Sequence, residues 1–407
     1  MLGKVGSKLF RRGSLIIVAP DGFSQRIGEG VPSMTVRILD PTFVPRLLLD
    51  PELALGEAYV AGALALEGGD VFALMELCYA NVGFSTRLGL LRFGGIARRL
   101  MCRLEQRKTI SSARANVAHH YDLSDALYER FLDADRQYSC AYFALQDDTL
   151  DVAQERKKLH IAAKLLLRPG QRILDIGSGW GGLAAYIAQV ANVDVTGVTL
   201  STEQHAYALR RATELDIAER VHFFLEDYRH HTGLYDRVVS VGMFEHVGAA
   251  HFDEYFRKIR DLLKDGGVAL IHTIGRADGP GAPNPWINKY IFPGGYIPAL
   301  SEIVPSIERA GLYVTDIEIL RLHYAQTLNA WRQRFNANRQ QIAELYDERF
   351  CRMWEFYLAA SEAAFRRHGG LINFQIQLSN RIDSIPLIRD YMLDWERAPI
   401  GGGLTKS

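Results

Sequence analysis

The chain has 407 residues, 48% apolar and 23% charged, with 47 basic side chains balancing 47 acidic ones, an ordinary water-soluble composition for roughly two or three domains. The balance excludes a global field that would draw in a polyanion, so no nucleic-acid partner is expected. Cys78, Cys102, Cys140 and Cys351 form neither a C-x-x-C pair nor a Cys/His array, which argues against structural zinc or a disulfide framework, predicts no metal site and fits a reducing, cytosolic setting.

The N-terminus is basic (Lys4, Lys8, Arg11, Arg12), but the apolar run after it, "LIIVA", is too short for a signal-peptide core and is closed by Pro20, Asp21 and Gly22. No stretch approaches the ~20 uninterrupted apolar residues of a membrane-spanning helix. The protein is expected to touch a membrane but not to cross one. Residues 1–110 read as a separate mixed domain: a short β-like start, then helical periodicity through "VPRLLLDPELALGEAYVAG" and "DVFALMELCYANV". Its tail carries Arg98, Arg99, Arg103, Arg107, Lys108 and Arg114 against a single acid, Glu105. Such a run is a solvated helix face or linker, or else a patch for anionic lipid head groups, where each cation contributes about 1 kcal/mol.

A second domain, 111–407, opens with "AHHYDLSDALYERFL", in which His119, His120, Tyr121 and Asp122 read as positioning a cofactor or helix rather than as chemistry. In "QYSCAYF" a lone Cys140 stands between two tyrosines, a pattern that suits a plain core residue as well as a site residue. From about residue 170 strands and helices alternate. "RILDIG" predicts a strand, "GGLAAYIAQVA" a helix, "VDVTGVTL" a strand, and "STEQHAYALRRATELD" a helix capped by Ser201. "VHFFLED" and "YDRVVSVGMF" follow as strands, "FDEYFRKIRDLLKDGG" as a helix ended by glycine, and "GVALIHTIG" as a fifth strand. This is the pattern of a doubly wound α/β sheet. Then come an insertion rich in Pro, Gly and aromatics, "GPGAPNPWINKYIFPGGYIP", a helix, the strand "YVTDIEIL", long helices from Thr327 to His368, and the strand "INFQIQL".

"LDIGSGWGG" places Gly177, Gly179, Gly181 and Gly182 where the first strand turns into its helix, a position where glycine lets backbone approach a ligand. Gly177, Gly179 and Gly182 match G-x-G-x-x-G, so a dinucleotide-binding dehydrogenase has to be weighed. Such a site wants an acid at the end of the second strand, and "VTLSTEQ" offers Thr199, Ser201 and Gln204 instead. Asp175, two residues before the first glycine, resembles motif I of S-adenosylmethionine-dependent methyltransferases. Glu226, Asp227 and Tyr228 then stand where that fold reads the adenine ring, or else form a solvated strand end.

Ligands of open α/β sheets bind outside the carboxyl ends of the strands. Strand four ends in Glu245 and His246, strand five in His272 to Gly275. A carboxylate and an imidazole on neighbouring strand ends suit acid/base work or anion positioning, and burial would shift both pKa values. The plainer alternatives are a helix-capping Glu245, a supporting His246 and a His272 bonded to backbone.

The blocks "HHYDLSDALYERFLDADRQYSCAYF", "ILDIGSGWGGLA", "VTLSTEQ", "SVGMFEHVG", "LIHTIG" and "PWINKYIFPGG", in this order, resemble the cyclopropane-fatty-acyl-phospholipid synthase family, related to the mycolic acid cyclopropane synthases. The likeness runs from about residue 111 to 368. It implies a class I S-adenosylmethionine-dependent methyltransferase fold, a Rossmann-like doubly wound seven-stranded sheet, with a smaller N-terminal mixed, helical lipid-binding domain. It also implies a reaction: a methyl group passes from S-adenosylmethionine to a cis double bond in an acyl chain of a bilayer phospholipid, a proton leaves the new methyl carbon, and a cyclopropane ring closes. A bicarbonate or carbonate ion serves as base in that family. Carried over by motif, its ligands fall on Cys140, Glu245, His272, the amide of Ile274 and Tyr357. The cofactor residues fall on Tyr138, Ser139, Asp175, Gly177, Gly179, Gly181, Thr199, Leu200, Gln204, Glu226, Asp227 and Tyr228. The protein would be cytoplasmic and peripheral on the inner face of the membrane, with unsaturated phospholipids as partners.

On that resemblance Cys140 needs no second cysteine, because a weak S–H donor suits a dry pocket. Tyr142 and Phe143 would offer π faces to the sulfonium or the developing cation. An alkene is a poor nucleophile, so catalysis would rest on alignment and on excluding water. Trp286, Tyr290 and Phe292 would wall an acyl channel, or simply pack a surface loop. The same fold also supports a methyltransferase giving methyl-branched or methylene products or acting on a small molecule, and a catalytically idle lipid- or cofactor-binding protein. The C-terminal stretch beyond about residue 380 leaves three uses open: covering the sheet edge, supporting a homodimer, or touching a membrane.

Overall fold

In the computed structural model, which describes residues 10, 12–82, 123–367 and 370–398, the N-terminal stretch holds more strand than its apolar pattern suggests. β1 (Ser14–Val18), β2 (Ser24–Gly28), β3 (Ser33–Ile38) and β4 (Leu64–Glu67) form a sheet in the order β2-β1-β3-β4. Alternation in β3 turns Met34, Val36 and Ile38 inward onto Leu15, Phe43, Leu74 and Leu77. The polar β2, "SQRIG", has no apolar run to announce it and owes its conformation to pairing with β1. The helical periodicity that follows resolves into α1 (Phe43–Leu49) and α2 (Pro51–Val60). Pro51 pushes Asp50 out of the helical region, to φ −140° and ψ 75°, and then starts α2 where its missing N–H is not needed. α3 (Val71–Val82) follows.

Beyond residue 123 come α4 (Asp125–Phe131) and α5 (Leu150–Lys164), then strict alternation: β5 (Arg172–Ile176), α6 (Gly182–Ala191), β6 (Asp194–Thr199), α7 (Thr202–Glu214), β7 (Val221–Leu225), β8 (Tyr235–Val241), α8 (Phe252–Leu262) and β9 (Leu263–Arg276). The chain continues through α9 (Pro285–Tyr290), α10 (Leu300–Arg309), β10 (Tyr313–Ile319), α11 (His323–Ala337), α12 (Arg339–Leu345), α13 (Glu348–Arg366), β11 (Leu371–Ser379) and α14 (Asp390–Arg397). The seven-stranded sheet has the order β10-β11-β9-β8-β5-β6-β7. Its strands β5 to β9 pair in parallel, whereas β10 and β11 run antiparallel to each other. Strand order reverses at β5, which opens a crevice at the carboxyl ends there.

Neighbouring residues of one strand feed different cores. Leu174, Val238, Ala269 and Ile271 belong to the cluster on one face, and Ile173, Val239 and Leu270 to the cluster on the other. That is the physical content of double winding: a parallel strand covered by helices on both sides is apolar at every position. One boundary differs from expectation. α8 stops at Leu262 rather than running to the glycines, because Leu263 is already buried and paired with Tyr235 at the start of β9.

Contacts divide the chain into two compact units. One gathers Met1–Leu104, Ala282–Pro293 and Ala325–Leu371; the other gathers Glu105–Gly281, Gly294–Tyr324 and Ile372–Ser407. In the first, Trp286 of α9 is buried edge-on against Phe356 of α13 with ring centroids 4.6 Å apart, so this part of the aromatic insertion is core of that unit. In the second, the C-terminal stretch is held at the sheet: Arg389 pairs with Asp316 of β10, Gln377 of β11 donates to the Tyr391 hydroxyl at 2.8 Å, and Glu396 pairs with His160 of α5. The basic run, Cys102, His119 to Asp122 and the expected domain boundary near residue 110 lie outside the described residues. Among the described residues no helix is long and apolar enough to cross a membrane.

Candidate active site

The turn after β5 is built on left-handed glycines: Gly177, Gly179 and Gly181 have φ of 83°, 55° and 80°. The amides of Gly177 and Ser178 both donate to Val198 O, at 2.9 and 3.1 Å, tying the turn to β6. A Cβ on Gly177 would stand 2.9 Å from Met243 Cβ, and one on Gly181 would stand 2.6 Å from the Phe223 ring. Every residue expected to face the cofactor except Gly181 lines one cleft outside these strand ends. Gly181 instead supplies the turn into α6.

Ser201 caps α7 as its sequence predicts, accepting from the Gln204 amide at 3.3 Å, and the Thr199 hydroxyl donates to Gln204 Oε1 at 3.1 Å. Asp227 is not a solvated strand end. Burial alone would raise its carboxyl, but two bonds from the Arg229 guanidinium, 2.9 and 2.7 Å, outweigh burial and hold it below the ordinary range. Glu226 pairs with His231. Arg136, Gln137, Trp180, Met243, His246 and His251 also line the cleft. All but His251 lie inside the motifs quoted above, although none was assigned to the cofactor there.

The cleft floor depends on a buried cation. Lys157 of α5 is fully buried and donates to Ser139 Oγ at 2.9 Å and to the Gln137 side chain. Burial pushes its pKa down to about 8, with Asp133 opposing. Gln154, also buried, donates to the carbonyls of Gln137 and Ser139 at 3.2 and 3.0 Å. One face of α5 therefore sets the backbone that presents Tyr138 and Ser139. Asp175 is buried as well, with Oδ2 unpartnered, and burial pushes its carboxyl up to about 7 against the pull of Lys157.

Glu245 sits in a single helical turn after β8 and caps no helix. Its Oε1 accepts from the Ile274 amide of β9 at 2.6 Å, while Oε2 is buried without a partner. Burial raises its pKa to about 7. His272 stands two residues before Ile274, on β9. It bonds a side chain rather than backbone: Nδ1 meets the Gln375 amide nitrogen at 3.1 Å, and Nε2 is buried without a partner. Burial keeps this imidazole well below its ordinary pKa. Cys140 is wholly buried, its thiol donating weakly to Ala141 O at 3.4 Å. Tyr142 departs from expectation. His160 and His323 stack on it with centroids at 4.1 and 4.8 Å, which covers the faces it was expected to offer a cation. Tyr357 lies in the other unit, on α13, edge-on to Phe292 and Trp354.

A carboxylate and a neutral imidazole on adjacent strand ends, each with one buried unsatisfied atom, suit a small ligand that both donates and accepts hydrogen bonds. Residues 108–375 match the family described as mycolic acid cyclopropane synthetase. The chain belongs to that family. It is 41% identical over 343 residues to the cyclopropane-fatty-acyl-phospholipid synthase of Escherichia coli strain K12, covering 83% of this chain and 86% of that protein. It is also 41% identical over 267 residues to the tuberculostearic acid methyltransferase UfaA1 of Mycobacterium tuberculosis, covering 62% of each. Among solved structures, the cyclopropane synthase MmaA2 of Mycobacterium tuberculosis superposes with TM-score 0.62 at 31% identity, over 65% of this chain and 98% of that one. Mycolic acid cyclopropane synthase CmaA1, complexed with SAH and CTAB, matches with TM-score 0.62 at 33% identity over the same shares. As a member of the mycolic acid cyclopropane synthetase family, the chain is an S-adenosylmethionine-dependent methyltransferase.

Gly177→Ala in this methyltransferase forces a Cβ into Met243 at a positive φ, which costs about 1–2 kcal/mol and shifts the loop. Weaker S-adenosylmethionine binding by titration calorimetry is the expected result; unchanged affinity would remove the turn from the cofactor site.

Proposed function

We propose that this enzyme transfers a methylene group from S-adenosylmethionine to the cis double bond of an unsaturated acyl chain in a membrane phospholipid, forming a cyclopropane ring, with a bound bicarbonate ion as base. The carrying observation is the pair of buried unsatisfied atoms, Glu245 Oε2 and His272 Nε2, on adjacent strand ends of a fold whose relatives are named cyclopropane synthases. Bicarbonate fits that pair, because its O–H can donate to a carboxylate while another of its oxygens accepts from an imidazole N–H. When bound, S-adenosylmethionine supplies the electrophilic methyl and bicarbonate supplies the proton acceptor.

The chain's own residues do the rest. The Ile274 amide holds Glu245 Oε1 against β9 and leaves Oε2 to accept from a ligand. His272 stays neutral and offers hydrogen-bonding capacity without charge. Cys140, wholly buried, would serve as a further ligand that brings in no water. Dry walls protect a developing cation from hydrolysis, and a preset geometry substitutes for substrate nucleophilicity. We further propose that residues 1–110 form a lipid-contacting domain, that the enzyme works peripherally on the inner membrane face, and that it does so as a homodimer.

The test is to incubate purified protein with S-adenosylmethionine, bicarbonate and vesicles of unsaturated phospholipid, then analyse the acyl chains. A gain of one CH2 with loss of the alkene is expected, falling when bicarbonate is removed. A second outcome is favoured by the relative named as a tuberculostearic acid methyltransferase: a methyl-branched or exomethylene chain would replace ring closure as the reading.

A further inference from the structure

His272 is a neutral imidazole gripped from one side. Burial, with Lys157 and Lys164 nearby, opposes its protonation, so one ring nitrogen carries a hydrogen and the other a lone pair. Nδ1 faces the amide nitrogen of Gln375 at 3.1 Å. An amide nitrogen can only donate, so Nδ1 accepts and the hydrogen resides on Nε2, the buried atom with no protein partner.

Gln375 has the placement such a task requires. It is wholly buried on β11, the neighbour of β9 in the sheet. The next side chain on the same face, Gln377, is also buried, but its amide is occupied by Lys164 O and the Tyr391 hydroxyl, at 2.6 and 2.8 Å, which is a packing role. The Gln375 amide is turned to the imidazole instead.

We propose that Gln375 is a positioning residue for the reaction: by donating to His272 Nδ1 it fixes the tautomer in which Nε2–H is offered to a bound anion. The assignment rests on the reading of His272 as an anion ligand. It also accounts for an amide at this position, because a carboxylate there would accept from Nδ1–H and leave Nε2 as a lone pair facing the anion.

The test uses the full chain labelled with 15N-histidine, comparing wild type, Gln375→Glu and Gln375→Met by long-range 15N–1H correlation, with the His272 signal identified by its loss in His272→Asn. Wild type is expected to show the Nε2–H tautomer. Gln375→Glu is expected to convert it to Nδ1–H or to the imidazolium and to lower kcat about 10–100-fold with KM for S-adenosylmethionine unchanged. Gln375→Met, similar in length, neutral and without a donor, is expected to give mixed tautomers and a smaller loss, and it covers the case in which the buried carboxylate fails to fold. An Nδ1–H tautomer in wild type, the same tautomer in both variants, or a switched tautomer at undiminished kcat would each overturn the assignment. Failure of the cyclopropanation reading would look different: no ring product or no bicarbonate dependence from a wild type whose tautomer still switches on substitution.

Discussion

Glu245→Gln is expected to lower turnover by about 10²-fold or more while stabilising the protein at pH 8. Both effects follow from one burial. The carboxyl is enclosed, and burial outweighs the bond from the Ile274 amide and its lesser polar contacts, so its pKa rises from the ordinary 4.5 to about 7. A raised folded-state pKa means that the protonated acid contributes stability, present in full below the ordinary carboxylate range and lost as pH rises through about 7. The size of that loss is on the order of 3 kcal/mol. Glutamine keeps an oxygen for the Ile274 amide and never ionises, so it escapes the loss. It also removes the negative oxygen that would accept a hydrogen bond from bicarbonate, so chemistry suffers and S-adenosylmethionine binding does not. Urea unfolding at pH 5 and pH 8, beside turnover and cofactor titration, separates the effects. Asp175, raised to about 7 by burial, leaves part of the pH dependence in the variant. Parallel losses in turnover and cofactor affinity would take Glu245 out of the reaction.

Gly275→Ala is expected to be the most damaging small substitution in the sheet. A Cβ at 275 would lie 1.8 Å from Phe374 Cε2 and 2.5 Å from its Cδ2. The Phe374 ring is wholly buried in the cluster with Ile376 and Leu378 and has nowhere to turn. Overpacking of this kind costs about 1–3 kcal/mol and more where the neighbour is fixed. The strain also falls between β9 and β11, the strands carrying His272, the Ile274 amide and Gln375, so turnover should drop with stability. A double-mutant cycle supplies the check. Phe374→Ala is itself destabilising, but in its background Gly275→Ala should cost less than about 1 kcal/mol, giving strong coupling. Additive losses would show that the strands part without involving the ring.

The architecture was legible in the chain because double winding writes itself locally. A parallel strand covered on both faces is apolar throughout, an amphipathic helix repeats every 3.6 residues, and a left-handed turn needs glycine. Gly177 and Asp175 could be placed from such signals, as could Glu245 and His272 from the rule that ligands sit at carboxyl ends of strands. The helix break at Asp50 was marked by Pro51, although the periodicity around it ran on.

What only the folded chain decided concerns partners distant in sequence. Lys157 in "ERKKLHIAAK" carries the composition of a wetted helix face, yet it is buried beneath Ser139 because α5 lies against the cleft. In "INFQIQL" the polar positions Asn373, Gln375 and Gln377 alternate as though one face met water, and all three are buried. Tyr142 was open as a ring for a cation until His160 and His323 came to cover it. A polar side chain has the same local pattern whether its bond is to water or to a residue a hundred positions away. Periodicity therefore determined the scaffold and the strand ends of this protein, while the tautomer of His272 and the charge beneath the cleft depended on which elements packing brought together.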